Sequence, residues 1–213
     1  MIENFVLKAE GITKYFNRGV FIFKNIDLTI KNKSAIALTG YNGSGKSTFL
    51  KIAAGVLRPS GGKLTFEIEN KNTDTTHLYK HISYVAPYLN LYEEFTALEH
   101  LEVMSNIRNS TYSKDDALAI LERLNILKSA NQPINTFSSG MKQRVKFALA
   151  LLNNPDILFL DEPGTNLDNE GLTTVKELIV DHIASGGAAV IASNDKRETD
   201  FCESELNISN FKK

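Results

Sequence analysis

The chain has 213 residues, with 24 Lys and Arg against 25 Asp and Glu, so its formal net charge at pH 7 is -1. This balance excludes the strongly basic chains that bind nucleic acid or anionic membranes broadly, and we expect no nucleic-acid partner. The single cysteine, Cys202, cannot close an intrachain disulfide, and no apolar run approaches the ~20 residues that span a bilayer. Because the N-terminus also lacks a signal-peptide pattern, we expect a cytoplasmic protein.

The first half of the chain contains short stretches of alternating or continuous β-formers, which predict strands. These strands are predicted at residues 5–12, 21–30, 35–38, 63–68 and 82–86. The first two should pair as an antiparallel hairpin, because Asn17, Arg18 and Gly19 form a turn signal between them. Helical spacing over residues 46–57 follows a glycine-rich loop, and the polar residues 70–76 predict an exposed loop.

The second half of the chain alternates helical and strand-like patterns. Helical periodicity over residues 96–126, with a polar break at residues 109–113, predicts a helical subdomain inserted in the core at roughly residues 88–137. The later elements are helices at residues 139–153 and 170–185, strands at 157–160 and 188–192, and a short finish at 203–208. This alternation predicts one α/β domain over residues 1–213, with a mainly parallel core sheet after an N-terminal antiparallel β subdomain.

The glycine-rich loop carries the most specific chemical signal, because it matches the phosphate-binding pattern G-x-x-x-x-G-K-[ST] in full. The predicted nucleotide-binding residues are Gly40, Tyr41, Asn42, Gly43, Ser44, Gly45, Lys46, Ser47 and Thr48. Glycines let successive backbone N–H groups converge on phosphate oxygens, and the following helix adds the positive end of its dipole. Lys46 would neutralise the β- and γ-phosphates and the Ser47 hydroxyl would bind Mg²⁺, so the pattern predicts a nucleoside triphosphate site.

Two carboxylates, Asp161 and Glu162, follow the apolar strand predicted at residues 157–160. The carboxyl ends of strands in an open α/β sheet are where such folds bind ligands. Asp161 is the predicted second Mg²⁺ ligand, and Glu162 is predicted to orient and deprotonate the attacking water. A carboxylate after a strand would by itself be an ordinary solvated turn residue. The occurrence of these acids in the same chain as the glycine-rich loop favours a P-loop NTPase instead.

A third motif, Phe137-Ser138-Ser139-Gly140-Met141-Lys142-Gln143-Arg144, precedes a predicted helix. With it the chain resembles the ATP-binding subunits of ABC transporters, whose signature is usually L-S-G-G-Q. Phe137, Ser139 and Met141 depart from that signature, whereas Ser138, Gly140 and the trailing Gln-Arg pair match. Ser138 would cap the helix and create a second anion site. The resemblance implies that the signature residues of one subunit complete the nucleotide site of its partner; they are Ser138, Ser139, Gly140 and Met141.

The resemblance extends over residues 12–195 and implies two further site residues. Phe16 is placed where a family aromatic stacks on adenine, although Tyr15 could serve instead, or the ring could simply pack in the hairpin. Asp168 is placed in the D-loop, which links the two halves of the family's dimer.

Two positions depart from the family where catalysis is concerned. Pro87 aligns with the Q-loop glutamine and has no side-chain donor or acceptor; nearby Asn90 could serve as a substitute polar group. Asn194 aligns with the switch histidine; its amide can donate a hydrogen bond but cannot carry a transferable proton. The predicted catalytic residues are therefore Glu162, Asn194 and Lys46.

The resemblance implies an ATPase that binds ATP and Mg²⁺, dimerises head to tail, and drives a separate transmembrane permease. Its partners would be a second copy or a similar ATPase subunit, and the permease on the cytoplasmic face of a membrane. The permease would dock around residues 88–95 and the helical subdomain, although the aromatic residues there could equally be core of that subdomain. The alternative is an ATP-gated dimerising module with little hydrolysis, which Pro87 and Asn194 favour and Glu162 opposes. An ATPase of DNA repair or translation is disfavoured because no long heptad insertion is present. A GTPase is disfavoured because no N-K-x-D motif occurs.

Overall fold

The computed structural model describes residues 2–17, 19–110 and 112–212, and within them the chain forms nine β-strands and six α-helices. The strands are β1 (Phe5–Asn17), β2 (Val20–Lys31), β3 (Ala35–Thr39), β4 (Gly61–Ile68), β5 (Lys71–Thr73), β6 (Ile82–Val85), β7 (Ile157–Asp161), β8 (Ala188–Ala192) and β9 (Ser204–Asn207). The helices are α1 (Lys46–Ala53), α2 (Ala97–Ile107), α3 (Lys114–Arg123), α4 (Ser139–Leu151), α5 (Asn169–Ala184) and α6 (Lys196–Thr199). None of these helices is both long enough and apolar enough to traverse a bilayer.

The core sheet has five strands in the order β6-β7-β8-β3-β9, and every neighbouring pair is parallel. Strands β7 and β8 are buried along their whole length, as expected for continuous apolar strands covered on both faces. Because the strands are parallel, the loops after β3, β7 and β8 leave the same edge of the sheet. The mainly parallel core sheet predicted from the sequence is confirmed, and its carboxyl edge is where the candidate site lies.

A second sheet is antiparallel, in the order β2-β1-β4-β5. Alternate residues of β1 are buried, namely Phe5, Leu7 and Ala9, because successive side chains of a strand point to opposite faces. The predicted N-terminal antiparallel subdomain is thereby confirmed, although both strands of its hairpin extend further than the pattern indicated. Of the predicted turn, Arg18 lies outside the described residues.

Two clusters of buried apolar side chains cover the two faces of the core sheet. Alternation along β7 divides them: Ile157 and Phe159 belong to the cluster under the antiparallel sheet and α1, whereas Leu158 and Leu160 face the helices. In the first cluster, the rings of Phe23 and Phe49 meet edge to face with centroids 5.8 Å apart. This contact fixes α1, and with it the glycine loop, against the antiparallel sheet.

The first helix is shorter than predicted, since it ends at Ala53 rather than at Leu57. Gly55 adopts a left-handed conformation with φ +70°, which stops the helix. The N–H groups of Val56 and Leu57 then donate to the Lys51 carbonyl oxygen at 2.9 and 3.0 Å. Because the helical spacing of apolar residues continues past Gly55, this spacing alone predicted the end of α1 too late in the sequence.

Residues 70–76 are largely exposed, as predicted, but they do not form a simple loop, because the stretch contains β5 and the start of a 3-10 turn, Thr75–Lys80. Strand β5 is short, polar and at the sheet edge, where one face is solvated and little apolar character is needed. Asp74 starts the turn by accepting the Thr76 N–H at 2.9 Å. The four-residue α6 was also not predicted.

The polar break predicted at residues 109–113 separates two helices. Helix α2 ends before it and helix α3 begins after it, and Thr111 within it lies outside the described residues.

Candidate nucleotide site

The loop between β3 and α1 changes direction at glycine residues. Gly43 and Gly45 have φ values of +81° and +107°, a region that glycine adopts without the strain a side chain would add. A Cβ on Gly45 would lie 2.6 Å from Ile22 Cγ2 of β2, which is closer than van der Waals contact allows. The loop therefore has the open backbone and tight packing that bring N–H groups close to an anion at the start of α1.

Lys46, the first residue of α1, extends its side chain back into the loop. It is only 7% exposed, and its Nζ donates to the Gly40 carbonyl oxygen at 2.7 Å. Ser44 is fully buried, and within the described part of the chain its hydroxyl has no hydrogen-bonding partner. A buried ammonium and an unpartnered buried hydroxyl in one glycine loop fit a phosphate group, whose oxygens can accept from both.

Ser47 and Asp161 lie together, as predicted from the two motifs. The Ser47 hydroxyl donates to Asp161 Oδ1 at 2.9 Å, and Asp161 is 3% exposed. Hydroxyl and carboxylate oxygens are the ligands that Mg²⁺ prefers, with phosphates and water completing its shell. No group of three His, Cys, Asp or Glu side chains in the described ranges could hold a metal alone. The residues present thus fit Mg²⁺ bound jointly with a nucleotide, rather than in a cage of protein ligands.

Glu162 follows β7 in a left-handed conformation, with φ +46°. Such a conformation costs a non-glycine residue about 1–3 kcal/mol and is found most often at functional sites. It is held here by the Glu162 N–H, which donates to the Ala192 carbonyl oxygen of β8 at 2.9 Å. Glu162 shares a cavity of about 310 Å³ with the glycine loop; its other lining residues are Ile22, Asn42, Gly43, Gly45, Lys46, Ser47 and Thr48.

Asn194 lies in the loop after β8 and reaches the same region. Its Nδ2 donates to Asn42 Oδ1 at 3.3 Å. Asn42, Glu162 and Asn194 together line an adjoining cavity of about 340 Å³. The three predicted catalytic residues, Lys46, Glu162 and Asn194, are therefore brought to one edge of the core sheet.

Pro87 follows β6, and only its backbone is engaged in polar contacts among the described residues. Its carbonyl oxygen accepts from Lys146 Nζ at 2.7 Å. The next residue, Tyr88, places its hydroxyl 2.7 Å from the Tyr84 hydroxyl, and both hydroxyls lie 3.4 Å from Asp161 Oδ2. Burial, with the Tyr88 hydrogen bond and the Asp161 charge, raises the pKa of Tyr84 above its ordinary value, so the phenol stays neutral. This contact was not predicted, although an aromatic directly after Pro87 was its visible signal.

The signature residues lie on a different surface of the same chain. Ser138 caps α4, and its Oγ accepts the Met141 N–H at 3.2 Å, as the sequence predicts. Ser138 and Ser139 are exposed, whereas a Cβ on Gly140 would lie 2.9 Å from the Asn166 carbonyl oxygen. In the described chain, no signature residue lines the cavity of the glycine loop. The exposed helix start is thus free to meet another molecule.

The residues after the signature tie α4 to the loop that follows β7. Buried Gln143 donates from Nε2 to the Pro163 carbonyl oxygen at 3.0 Å. Arg144 Nη2 lies 3.0 Å from Asp168 Oδ1, which also accepts the Gly171 N–H at 2.8 Å and so caps α5. The Gly171 hydrogen bond and the Arg144 charge lower the pKa of the Asp168 carboxyl. Asp168 therefore has a role within the chain, and its predicted role between subunits stays a prediction.

Glu198 is a buried acid that sequence reasoning missed. Its Oε1 accepts the Gly164 N–H at 2.9 Å, which joins α6 to the loop after β7. Burial raises the pKa of this carboxyl. The signal available in the sequence was Asp195 three residues earlier, a capping pattern in which the acid would reach back to its own helix. The structure directs the side chain to the neighbouring loop instead.

The predicted adenine-stacking residue, Phe16, is 66% exposed and has Lys14 Nζ at 5.1 Å from its ring centroid. Tyr15 packs edge to face on Phe21, with centroids 5.6 Å apart. Of the two aromatic rings, Phe16 is the more available to a ligand, and its contact with adenine stays a prediction.

A strand, a glycine loop with its lysine, and a second strand of the same parallel sheet with two acids at its carboxyl end define a P-loop nucleoside triphosphatase fold. The family model described as "ABC transporter" matches residues 23–165. The chain therefore belongs to the ABC transporter family, as one of its ATP-binding cassettes. The resemblance suggested by the signature motif is thereby confirmed.

Individual relatives agree with this assignment. ATP-binding cassette sub-family A member 2 of Rattus norvegicus is 29% identical over 213 residues, which span 97% of this chain but 9% of that relative's length. Arginine transport ATP-binding protein ArtM of Bacillus subtilis (strain 168) is 31% identical over 196 residues, 89% of this chain and 81% of ArtM. A dimeric, post-hydrolysis structure of the cassette MJ0796 bound to ADP and Pi has a TM-score of 0.79 at 29% identity and covers 95% of each chain.

Proposed function

We propose that this chain binds and hydrolyses ATP in a head-to-tail dimer and thereby drives a separate transmembrane permease. The observation that carries the proposal is the single cavity of about 310 Å³ that contains Lys46, Ser47 and Glu162 beside buried Asp161. Positive charge, two metal-binding oxygens and a base are the groups that ATP hydrolysis needs in one place. That MJ0796 was solved with ADP and Pi is consistent with hydrolysis in the family.

Each group has a distinct task in this proposal. Lys46 binds the β- and γ-phosphates, while Ser47 and Asp161 hold Mg²⁺, which when bound neutralises charge on the phosphate oxygens. Glu162 accepts a proton from water as the water oxygen bonds to the γ-phosphorus. The bond from that phosphorus to the β–γ bridging oxygen breaks, and ADP and phosphate leave. Asn194 donates a hydrogen bond to the γ-phosphate region but transfers no proton.

The position of the signature residues supports the proposed dimer. Ser138 and Ser139 are exposed at the start of α4 and lie away from the cavity of their own glycine loop. In a twofold head-to-tail pair, each chain presents this helix start to the other chain's ATP, so both sites are completed together. The MJ0796 cassette, described as dimeric, supports the pairing of two cassettes. Loss of the γ-phosphate on hydrolysis then opens the pair.

The permease is proposed to dock at an apolar groove between residues 88–95 and α2. This groove has a volume of about 310 Å³, and its apolar lining includes Leu89, Leu91, Tyr92, Val103, Met104 and Ile107. Tyr92 and Ile107 are 70% and 67% exposed, and both line this one groove, so the exposed apolar surface is continuous there. Docking there would hold the chain on the cytoplasmic face of a membrane.

The second candidate, an ATP-gated dimer with little hydrolysis, is favoured by one observation. Asn194 occupies the position beside Asn42 where a charged, proton-transferring side chain would otherwise act. Pro87 likewise offers no side-chain donor or acceptor. The two candidates differ in a measurable quantity, the rate of phosphate release that depends on Glu162.

We expect slow basal phosphate release, abolished by Glu162→Gln and raised by Asn194→His. One positioning contact on developing charge is commonly worth ~10² in rate, so Asn194→His should accelerate turnover by up to about that factor. Adding Pro87→Gln should raise it further but not multiplicatively, because both groups serve the same phosphate and water. The measurement is steady-state phosphate release at saturating Mg·ATP.

Pro87→Ala is the control for the proline position, since any replacement frees a backbone φ and adds an N–H. A parent that already turns over rapidly and is unaffected by Asn194→His would show that the departures are compensated elsewhere. A parent as inert as Glu162→Gln, even with a permease bound, would favour the gated module.

A further inference from the structure

We propose that Tyr88, supported by Tyr84, is a positioning residue for Asp161 and through it for the Mg²⁺ site, in place of the polar side chain that Pro87 lacks. This inference rests on the proposed Mg·ATP function of the same site. It goes beyond that function in assigning a task to a phenol pair that the family's motifs leave out.

The contacts of Asp161 divide between its two oxygens. Oδ1 accepts the Ser47 hydroxyl at 2.9 Å, on the side of the glycine loop. Oδ2 faces the hydroxyls of Tyr84 and Tyr88, each at 3.4 Å. One oxygen is thus directed to the predicted metal ligand Ser47, and the other is directed to the loop after β6. A carboxylate held on both sides has a defined orientation, which a metal ligand requires.

The two phenol hydroxyls have two protons to share between each other and Asp161. The hydroxyls of Tyr84 and Tyr88 are 2.7 Å apart, so one of their two protons lies between them. The remaining proton is free to point at Asp161 Oδ2, because a neutral phenol donates only one hydrogen bond. The pair therefore acts as a short donor chain that ends on the carboxylate. At 3.4 Å, this contact is longer than an ordinary O–H···O hydrogen bond.

The Tyr88 ring is held in this position by two elements of the site. Lys51 Nζ of α1 lies 4.4 Å from the ring centroid, a distance typical of a cation–π contact. Tyr84 belongs to β6 and lies beside Phe159 of β7 in the sheet register, so its hydroxyl approaches Asp161 from the neighbouring strand. Tyr88 is 48% exposed, so packing in the core does not account for its placement.

The test measures metal affinity rather than turnover. Binding of Mn²⁺, a spectroscopic substitute for Mg²⁺, is titrated by electron paramagnetic resonance on the full chain with a non-hydrolysable ATP analogue. Tyr88→Phe should weaken Mn²⁺ binding by roughly 10- to 100-fold, the usual effect of removing a partner of a metal ligand. Affinity for the analogue without metal should stay at the parent's value. Tyr79→Phe, which removes the hydroxyl of another exposed tyrosine away from the site, is the matched control and should have no effect.

Restoring Mn²⁺ affinity in the Tyr88→Phe variant distinguishes a positioning role of the Tyr88 hydroxyl from a packing role of its ring. In the Tyr88→Phe background, Pro87→Gln should restore Mn²⁺ affinity because it supplies a polar side chain one residue earlier, whereas Pro87→Ala should not. Unchanged Mn²⁺ affinity in Tyr88→Phe, beside weakened affinity in Asp161→Asn, would overturn the positioning role alone. Equal loss of metal-free analogue binding in Tyr88→Phe would also overturn it, since the ring would then be structural. A parent that binds neither analogue nor Mn²⁺ would overturn the proposed function as well.

Discussion

Lys46→Ala is expected to abolish binding of Mg·ATP. The side chain is 7% exposed and its ammonium lies inside the glycine loop, 2.7 Å from the Gly40 carbonyl oxygen. Removing one partner of a buried charge pair costs about 3–5 kcal/mol, which lowers affinity by roughly a hundredfold or more. The measurement is a titration with a fluorescent ATP analogue in the presence of Mg²⁺.

Lys63→Ala is the control for loss of one positive charge. Lys63 is on β4 and pairs with Glu10 at 3.3 Å on an exposed surface, where ion pairs contribute little. It should bind the analogue as the parent does. Equal affinity of the parent and Lys46→Ala would mean that the glycine loop is not the nucleotide site.

Glu162→Gln is expected to shift the chain to a dimer when ATP is present. The amide cannot accept the proton of the attacking water, and losing a general base commonly slows a reaction by 10²- to 10⁴-fold. ATP then persists between the two chains, and the dimer accumulates. Sizing chromatography with and without ATP measures the shift. Adding Ser138→Arg should keep the chain monomeric, because a long charged side chain would block the helix start that faces the partner's γ-phosphate.

Ser113→Arg in the Glu162→Gln background is the matched control. Ser113 caps α3 as Ser138 caps α4, with its Oγ accepting the Asp116 N–H at 3.2 Å. Both substitutions therefore remove a helix cap, worth about 1 kcal/mol, but only one lies in the signature. A dimer that forms regardless of ATP and of Ser138→Arg would refute the composite site.

The parts of the fold that the sequence predicted depend on short-range patterns. The glycine spacing placed Lys46 and Ser47 at the start of a helix, and the apolar run before Asp161 placed that carboxylate at the end of a buried strand. Since the core sheet is parallel, these two positions had to meet at one edge. The placement of Ser47 and Asp161 at the same edge could therefore be predicted, whereas their contact also requires β3 and β7 to lie on either side of β8.

The parts that were missed depend on which strands are neighbours. The contact of Tyr84 and Tyr88 with Asp161 arises because β6 pairs with β7, and no local pattern specifies that pairing. Glu198 reaches Gly164 for a similar reason, since α6 and the loop after β7 adjoin only in the folded chain. The strand β5 was missed because an edge strand needs no apolar face.

Mixing two inactive variants tests the composite site most directly. In a head-to-tail pair of Lys46→Ala with Ser138→Arg, one site carries both defects and the other has an intact Lys46 and an intact Ser138. Neither variant alone should release phosphate, because neither pairs productively with itself, whereas each mixed pair has one intact site of two. An equimolar mixture should therefore recover about a quarter of the parent's rate if pairing is random, and about half if only mixed pairs form. A mixture that stays as inactive as its components, or a Ser138→Arg chain as active as the parent, would contradict the proposal that one chain completes the ATP site of the other.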